Sequence, residues 1–436
     1  MASVDQAAIG DVVAPSASVA EQAGSGRRFP AMLASLQHSD FRALWYSICM
    51  LSAGQWIQQV TLGWLVYEMT GSPVMLGLMH TLRSSPFLFA GPIAGVAADR
   101  MDRRKLLLMM QPLVAVAALT MGILTVNGWL QVWHVFVFTL FAATIWAFNN
   151  PIRQALVPNL VPRRDMMNAI ALSSAAFNIF KVVGPALGGL LIAAFGPGGN
   201  FFLEFSIWML VLFLFFRMRV PPTPPNARRE SALANLKEGW VYIWRQPMLR
   251  TLLVASLVPP IFVVPAAQWL LPVFGKDVLH VGPAGLGMLM ASGAVGAVLA
   301  TAMLASLDSR LGNHGVLLVS FIGLMGASIV IFAYTTELWA ACLILSINGF
   351  VQMVYYTVSN TMLQVIVPDQ LRGRVNSIFM TQWGIGPAGT LLAGVAIEIV
   401  GPQTTLAAMG AAVVVLAVVL FWRAPNLWKY AGERKA

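Results

Sequence analysis

Six of the seven residues from Asp99 to Lys105 are charged, in a chain where only 10% of residues are. Gly95 and Asp99 stand ahead of Arg100, Asp102, Arg103, Arg104 and Lys105, and long apolar runs flank the cluster. Basic residues in a short loop between apolar runs hold that loop on the cytoplasmic side of a membrane. Acids contribute little to orientation, so Asp99 and Asp102 call for another role. Either one caps the following helix, or it makes a charge pair that forms in one conformational state and breaks in another, biasing the equilibrium between them.

A second set of polar residues lies inside apolar runs, where ionisable groups are costly and usually functional. Lys181 shares a helical stripe with Gly184, Pro185 and Gly188, small residues that should face protein. Arg83 lies well inside its run, with His80 three residues before it. The acids are scarcer: Glu68, Glu204 and Glu398 all fall near run ends. With His80, they are the available proton carriers, and each also suits an interfacial or packing role. Gln55, Gln58 and Gln59 cluster in the first run, and Asn348, Gln352 and Tyr355 fall on one stripe of a later run. Gln268, Gln382 and Trp383 complete the set. Amides offer donors and acceptors without a fixed charge, which suits a bulky, partly polar solute and also simple interhelical bonding.

These residues must be positioned by membrane helices. The chain of 436 residues is 58% hydrophobic, with a mean hydropathy of +0.75, well outside the range of soluble domains. Continuous apolar runs exclude a β-barrel, whose strands alternate. The runs give an all-α polytopic membrane protein of twelve transmembrane helices. If both termini are cytoplasmic, every Lys and Arg except Lys276, Arg83 and Lys181 falls on the cytoplasmic side, as the positive-inside rule requires. The net charge of +10 then reads as loop topology, not nucleic-acid binding. Cys49 and Cys342 lie in apolar runs and read as buried hydrophobes.

The predicted organisation is a disordered cytoplasmic tail over 1–38, a six-helix half over 39–217, a linker over 218–248, a second six-helix half over 249–423, and a tail over 424–436. The linker breaks on P-P-T-P-P and then carries S-A-L-A-N-L-K-E-G-W-V-Y-I-W, an amphipathic stretch suited to a membrane surface. The halves repeat each other. V-P-R-R-D from Val161 pairs with V-P-D-Q-L-R from Val367, G-P-A-L-G-G from Gly184 with G-P-A-G-T from Gly386, and F-G-P at Phe195 with V-G-P at Val400. Two like halves with a site between them is a transporter layout. Pro259, Pro260, Pro265 and Pro272 predict a bent seventh span.

Gly95, Asp99, Arg103 and Arg104 fit the G-x-x-x-D-x-x-G-R-[KR] loop of the major facilitator superfamily, with Asp102 in place of the usual glycine. D-F-R-A-L-W, G-W-L-V-Y-E-M-T-G-S, N-P-I-R-Q-A-L-V-P-N-L-V-P and K-V-V-G-P-A-L-G-G are similar to the branch containing enterobactin, drug and macrolide exporters, over roughly residues 38 to 423. The resemblance implies two pseudo-symmetric halves and a gating loop at Gly95, Asp99, Arg100, Arg103 and Arg104. It also implies an antiporter motif at Gly184, Pro185, Gly188 and Gly189, although Phe180 stands where that motif has its upstream glycine.

The expected function is secondary active export of an amphiphilic small molecule, such as a siderophore or drug, driven by protons through rocker-switch alternating access. Alternatives are lysophospholipid movement and a non-transporting sensor. The substrate or proton pathway is expected to use Gln55, Gln59, Glu68, His80, Arg83, Lys181, Gln268, Asn348, Gln352 and Tyr355. No cofactor or metal is expected, and neither a P-loop nor a hydrolase motif occurs. The expected partners are the solute, protons and the bilayer of a bacterial inner membrane, with the protein acting as a monomer.

Overall fold

The computed structural model describes residues 31–100, 103–218, 232–306 and 313–423. The side chains of 88–103 lie outside the described set, so Gly95, Asp99, Arg100 and Arg103 of the charged loop do too. Every regular element among the described residues is helical.

The first half consists of α1 (Ser39–Thr70), α2 (Pro73–Arg100), α3 (Arg103–Val126), α4 (Val132–Leu160) and α5 (Met166–Arg217). A straight 52-residue helix would be far longer than a membrane is thick. Instead α5 folds back on itself. Gly196 has φ 70° and ψ 173°, a conformation open to glycine and unfavourable for other residues. The result is a hairpin: Asn200 Nδ2 donates to the Gly188 carbonyl at 3.0 Å, although twelve residues along a straight helix would separate them by about 18 Å. Phe195–Gly196–Pro197 is therefore a corner between two legs.

The second half consists of α7 (Pro247–Val258), α8 (Leu271–Asp277), α9 (Pro283–Ser306), α10 (His314–Ala333), α11 (Leu338–Ile366), α12 (Asp369–Met380), α13 (Gln382–Val400) and α14 (Pro402–Arg423). Between α7 and α8 the chain takes wide π-helical turns at Pro259–Val263 and Pro265–Trp269. Proline lacks the N–H and crowds the carbonyl four residues back, so the helix widens instead of holding its regular ladder. The expected bend in this span is thus present. Nine described helical stretches are long and apolar enough to cross a membrane, the α5 hairpin counting as one. The long helices outside that set are α1, which carries Gln55, Gln58 and Gln59, and α2, which carries His80 and Arg83.

Small residues dictate the packing in both halves alike. A Cβ on Gly184 would lie 2.6 Å from Trp56 Cβ, and one on Gly188 would lie 3.1 Å from Ile57 Cα, so the first leg of α5 presses on α1. The repeat counterparts behave the same way. Gly386 faces Pro260, and a Cβ on Gly389 would lie 2.8 Å from Ile261 Cα, on the first span of the second half. The antiporter-motif glycines are thus helix-packing positions. Across the halves, Gly189 meets Pro283 and Gly287 while Gly394 meets Pro73 and Val74. These contacts are again related by the repeat.

Residues 31–38 correct the expectation of a disordered tail extending to residue 38. Ala31–Gln37 forms a short 3-10 turn docked on the start of α5. Ser35 bonds through its backbone N–H (3.0 Å) and hydroxyl (2.6 Å) to Asn168 Oδ1. His38 Nε2 lies 3.0 Å from Asp165 Oδ2, and Gln37 donates to the same oxygen. Residues 1–30 lie outside the described set.

Candidate functional site

Among the described residues, three cavities are lined by polar side chains of the bundle helices. In the first half, α1, α2, α4 and the second leg of α5 surround a small cavity lined by Gln55, Gln58, Arg83, Trp146, Glu204 and Trp208. Glu204 is 3% exposed. Its Oε1 accepts from Gln58 Nε2 at 2.5 Å and from Trp208 Nε1 at 3.2 Å. Position near a helix end therefore misleads: the Gly196 corner starts a new leg whose early turns already face the interior, and Glu204 points at α1, not at the interface. Arg83 lines the same cavity, and its Nη1 is buried without a hydrogen-bond partner among the described residues, as is Gln55 Oε1. A buried carboxylate and a guanidinium with an unpartnered donor among the described residues face one small space, and ionisable groups inside a membrane span are usually functional.

The second cavity lies between the halves and brings together Lys181, Gln268, Asn348 and Gln352, with Trp56 as an aromatic wall. Lys181 Nζ lies 6.0 Å from the centre of the Trp56 ring, within reach of a cation–π contact. No carboxylate lines this cavity among the described residues. Asn348 is committed elsewhere, donating to Ser328 Oγ at 2.7 Å, whereas Gln268 and Gln352 remain half-buried on the wall.

The third cavity, the largest of these three and open on one side, belongs to the second half and carries Tyr355, Tyr356, Ser359, Asn360, Gln364 and Gln382. Among the described residues its lining has no charge. Gln382, 7% exposed, holds Oε1 without a partner among the described residues. The Tyr355 hydroxyl instead ties α11 to α7 through the Ala255 carbonyl at 2.8 Å. The side chain of Trp383 lies outside the described set.

Other expected pathway residues line none of these three cavities. Glu68 is exposed at a helix end and accepts from Trp64 Nε1 at 2.9 Å. Gln59 is buried off the cavities. His80 stacks on Trp269 with ring centres 4.3 Å apart, a contact between the halves. Arg104 closes the carboxyl end of α5, donating to the Phe215 and Phe216 carbonyls, a favourable place for a cation.

The halves meet at the end of the bundle that holds Gly71 and Gly401. Tyr67 donates to Asp277, with Lys276 Nζ 5.7 Å from the Tyr67 ring. Ser72 Oγ donates to Glu398 at 2.5 Å, and Thr81 Oγ1 reaches the Pro387 carbonyl at 3.4 Å. This end is away from Arg104, Arg217 and Arg374. Removing both hydroxyls, in Tyr67→Phe with Ser72→Ala, should loosen it. The partly buried Tyr67–Asp277 bond contributes about 1.5–3 kcal/mol and the exposed Ser72–Glu398 bond less, together enough to make a cysteine placed at Thr81 react about tenfold faster with a water-soluble thiol reagent. An unchanged rate would show that glycine packing alone closes this end.

Two pseudo-symmetric helical halves, a helix broken at Pro259–Trp269, and polar cavities within and between the halves fit a transporter of the major facilitator type. The chain belongs to the family described as transmembrane secretion effector, which it matches over residues 30–431. It is 26% identical to the multidrug efflux pump Tap of Mycolicibacterium fortuitum, over 84% of this chain and 91% of the relative. It is 23% identical to the staphyloferrin A transporter of Staphylococcus aureus, over 86% and 93%. It is 24% identical to the enterobactin exporter EntS of Salmonella choleraesuis, over 88% and 92%. Among solved structures, the nucleoside transporter NupG superposes with a TM-score of 0.69 at 12% identity, covering 89% of this chain and 99% of that one. A bacterial homolog of the lysosomal transporter Spinster, inward-facing and unoccupied, gives 0.68 at 16% identity, covering 94% and 100%. These structures share the fold.

Proposed function

We propose that this protein is a proton-driven exporter of amphiphilic small molecules, such as siderophores or drugs, working as a monomer by rocker-switch alternating access. The observation that carries the reading is Glu204, buried in a cavity with Arg83 and bonded to Gln58. The relatives are pumps and exporters of drugs and siderophores by name. In this reading the basic end and both termini are cytoplasmic, twelve helices span the inner membrane, and the halves 39–217 and 249–423 rock about the interface.

Coupling runs through α1. Gln55 and Gln58 face Glu204, while Trp56, on the same turn, faces the Lys181 cavity. Solute against Trp56 displaces α1, and the same movement alters the Gln58–Glu204 bond and with it the hold on the proton. Lys181, Gln268 and Gln352 bind the solute's anionic and polar groups, and the uncharged third cavity accommodates the remainder. Asp99 latches the cytoplasmic end when the other end opens.

The test uses inside-out vesicles with an acid interior, to which candidate solutes are added while the pH gradient is followed. Solute-triggered proton release is expected for the wild type and not for Asp99→Asn, with equal insertion of both. Lys181→Gln should weaken the apparent affinity for anionic solutes about tenfold, the equivalent of ~1.4 kcal/mol, and leave neutral solutes unaffected. Silence across a broad panel would favour lipid movement or sensing. Equal weakening for neutral and anionic solutes would remove the charge role of Lys181.

A further inference from the structure

The linker helix α6 (Ala232–Arg245) is built with two unlike faces. One side packs on α12. There Gly239 brings its backbone against Arg374, so that an added Cβ would lie 3.0 Å from the Arg374 carbonyl oxygen. Ile243, fully buried, seals the contact. Beside it Glu238 pairs with the Arg374 guanidinium. At 100° per residue, Lys237, Trp240, Val241 and Trp244 fall on one stripe centred about 130° around the helix from Gly239 and Ile243, with Trp240 at its near edge. All four are exposed, Trp240 by 48% and Trp244 by 51%.

Two indoles and a valine facing water would be an unfavourable arrangement. Tryptophan, apolar with one N–H donor, instead suits the boundary between headgroups and acyl chains. The charges around the stripe point the same way. Lys237, Arg245 and Arg250 are exposed, and the Arg250 guanidinium lies 5.8 Å from the Trp244 ring. Glu238, between the two faces, has its charge paired with Arg374 of α12. The face is thus cationic and aromatic, complementary to anionic headgroup phosphates. In a chain of membrane helices, a leaflet surface is also the partner always within reach.

We propose that α6 is a strap seated on the anionic inner-leaflet surface. Trp240, Val241 and Trp244 enter the headgroup layer, Lys237, Arg245 and Arg250 bind phosphates, and the Glu238–Arg374 pair passes this hold to α12, the first segment of the broken span that continues as α13. The strap does not depend on the identity of the solute or the coupling ion.

The test uses the full-length chain with Cys49 and Cys342 replaced by Ser and a nitroxide on Val241→Cys. The protein is reconstituted in vesicles of phosphatidylcholine alone or mixed with phosphatidylglycerol. With phosphatidylglycerol, collisions with oxygen should rise and collisions with a water-soluble nickel chelate should fall at least twofold. The combined Lys237→Gln, Arg245→Gln and Arg250→Gln variant should lose that difference. A label open to nickel in both lipids overturns the proposal, as does burial indifferent to lipid charge. Shielding from both reagents would place a protein, a second copy or another chain, on the stripe and overturn the bilayer assignment. Should the label itself perturb α6, brominated phosphatidylglycerol should quench the wild-type tryptophan emission more than that of the Trp240→Phe, Trp244→Phe variant. Equal quenching again overturns the proposal. The link to α12 is read from a nitroxide on Gln370→Cys, whose motion phosphatidylglycerol should restrict in the wild type and not in Glu238→Gln. Restriction in both would overturn the strap.

Discussion

Glu204→Gln is expected to abolish uphill transport while leaving downhill exchange of solute intact. The amide keeps the shape of the carboxylate and can still accept from Gln58, 2.5 Å away, and from Trp208. Only the titratable charge is lost. Some loss of stability is expected, because Arg83 in the same cavity loses its opposite charge, so the amount of folded protein is measured beside transport. A carrier that cannot lose or gain a proton at its coupling site can still rock with solute bound, so counterflow should survive. The gradient-driven component should fall to the level seen with the gradient collapsed. The same substitution logic separates the other candidates. Glu68→Gln acts on an exposed group bonded to Trp64, and His80→Asn on a ring stacked against Trp269 between the halves. Neither lines the Glu204 cavity, so neither should uncouple. Uphill transport at the wild-type rate in Glu204→Gln would sink the assignment of this residue.

The second large effect contrasts two kinds of glycine. Gly394 lies between the halves, where an added Cβ would come 2.6 Å from the Pro73 carbonyl oxygen and 2.9 Å from its carbon; Gly189 similarly meets Pro283 and Gly287. Gly296 and Gly349 lie within one half, packing α9 on α11 against the backbones of Ser346 and Gly293. Valine at any of these positions overpacks a close contact, at a cost of typically 1–3 kcal/mol, occasionally more. The consequences should differ. Under the proposed rocker-switch mechanism the halves separate, so a wedge at Gly394 or Gly189 has an alternative state that relieves it. Gly394→Val with Gly189→Val should fold, stay open at the end holding Tyr67 and Ser72, and not transport. Inverting a 99:1 preference takes about 5.5 kcal/mol, which is why the two wedges are combined. Gly296→Val and Gly349→Val have no relieving state and should yield little folded protein by fluorescence-detected size exclusion. Equal loss of folding in both pairs would mean that the contacts between the halves are as obligatory as those within them.

Much of this architecture is written in local pattern. Apolar runs long enough to cross a bilayer announce helices wherever they occur. The repeat of V-P-R-R-D with V-P-D-Q-L-R, and of G-P-A-L-G-G with G-P-A-G-T, shows up as matching glycine contacts, Gly184 on α1 and Gly389 on the seventh span. The four prolines between Pro259 and Pro272 foretold the widened turns, since the missing N–H acts within a single turn. The small-residue stripe of Lys181, Gly184 and Gly188 suggested that Lys181 faces inward, and Lys181 lines a cavity with Gln268 and Gln352.

What failed was reasoning from distance along a helix to depth in the bundle. Glu204, near the start of its span, looked interfacial, yet it is bonded to Gln58 of a helix 146 residues away. Glu68 and Glu398 occupy similar linear positions and do sit exposed at helix ends. Ser35 and His38 looked like tail, yet Asn168 and Asp165 hold them. The difference is physical. Helix formation, membrane partition and close packing at glycine depend on residues within a turn or two, so the sequence carries them directly. Which side chains share a cavity depends on how helices far apart in the chain rotate and cross. For Glu204, Arg83 and Gln58, that was decided by the Gly196 corner and the packing of α1, α2 and α4 around it.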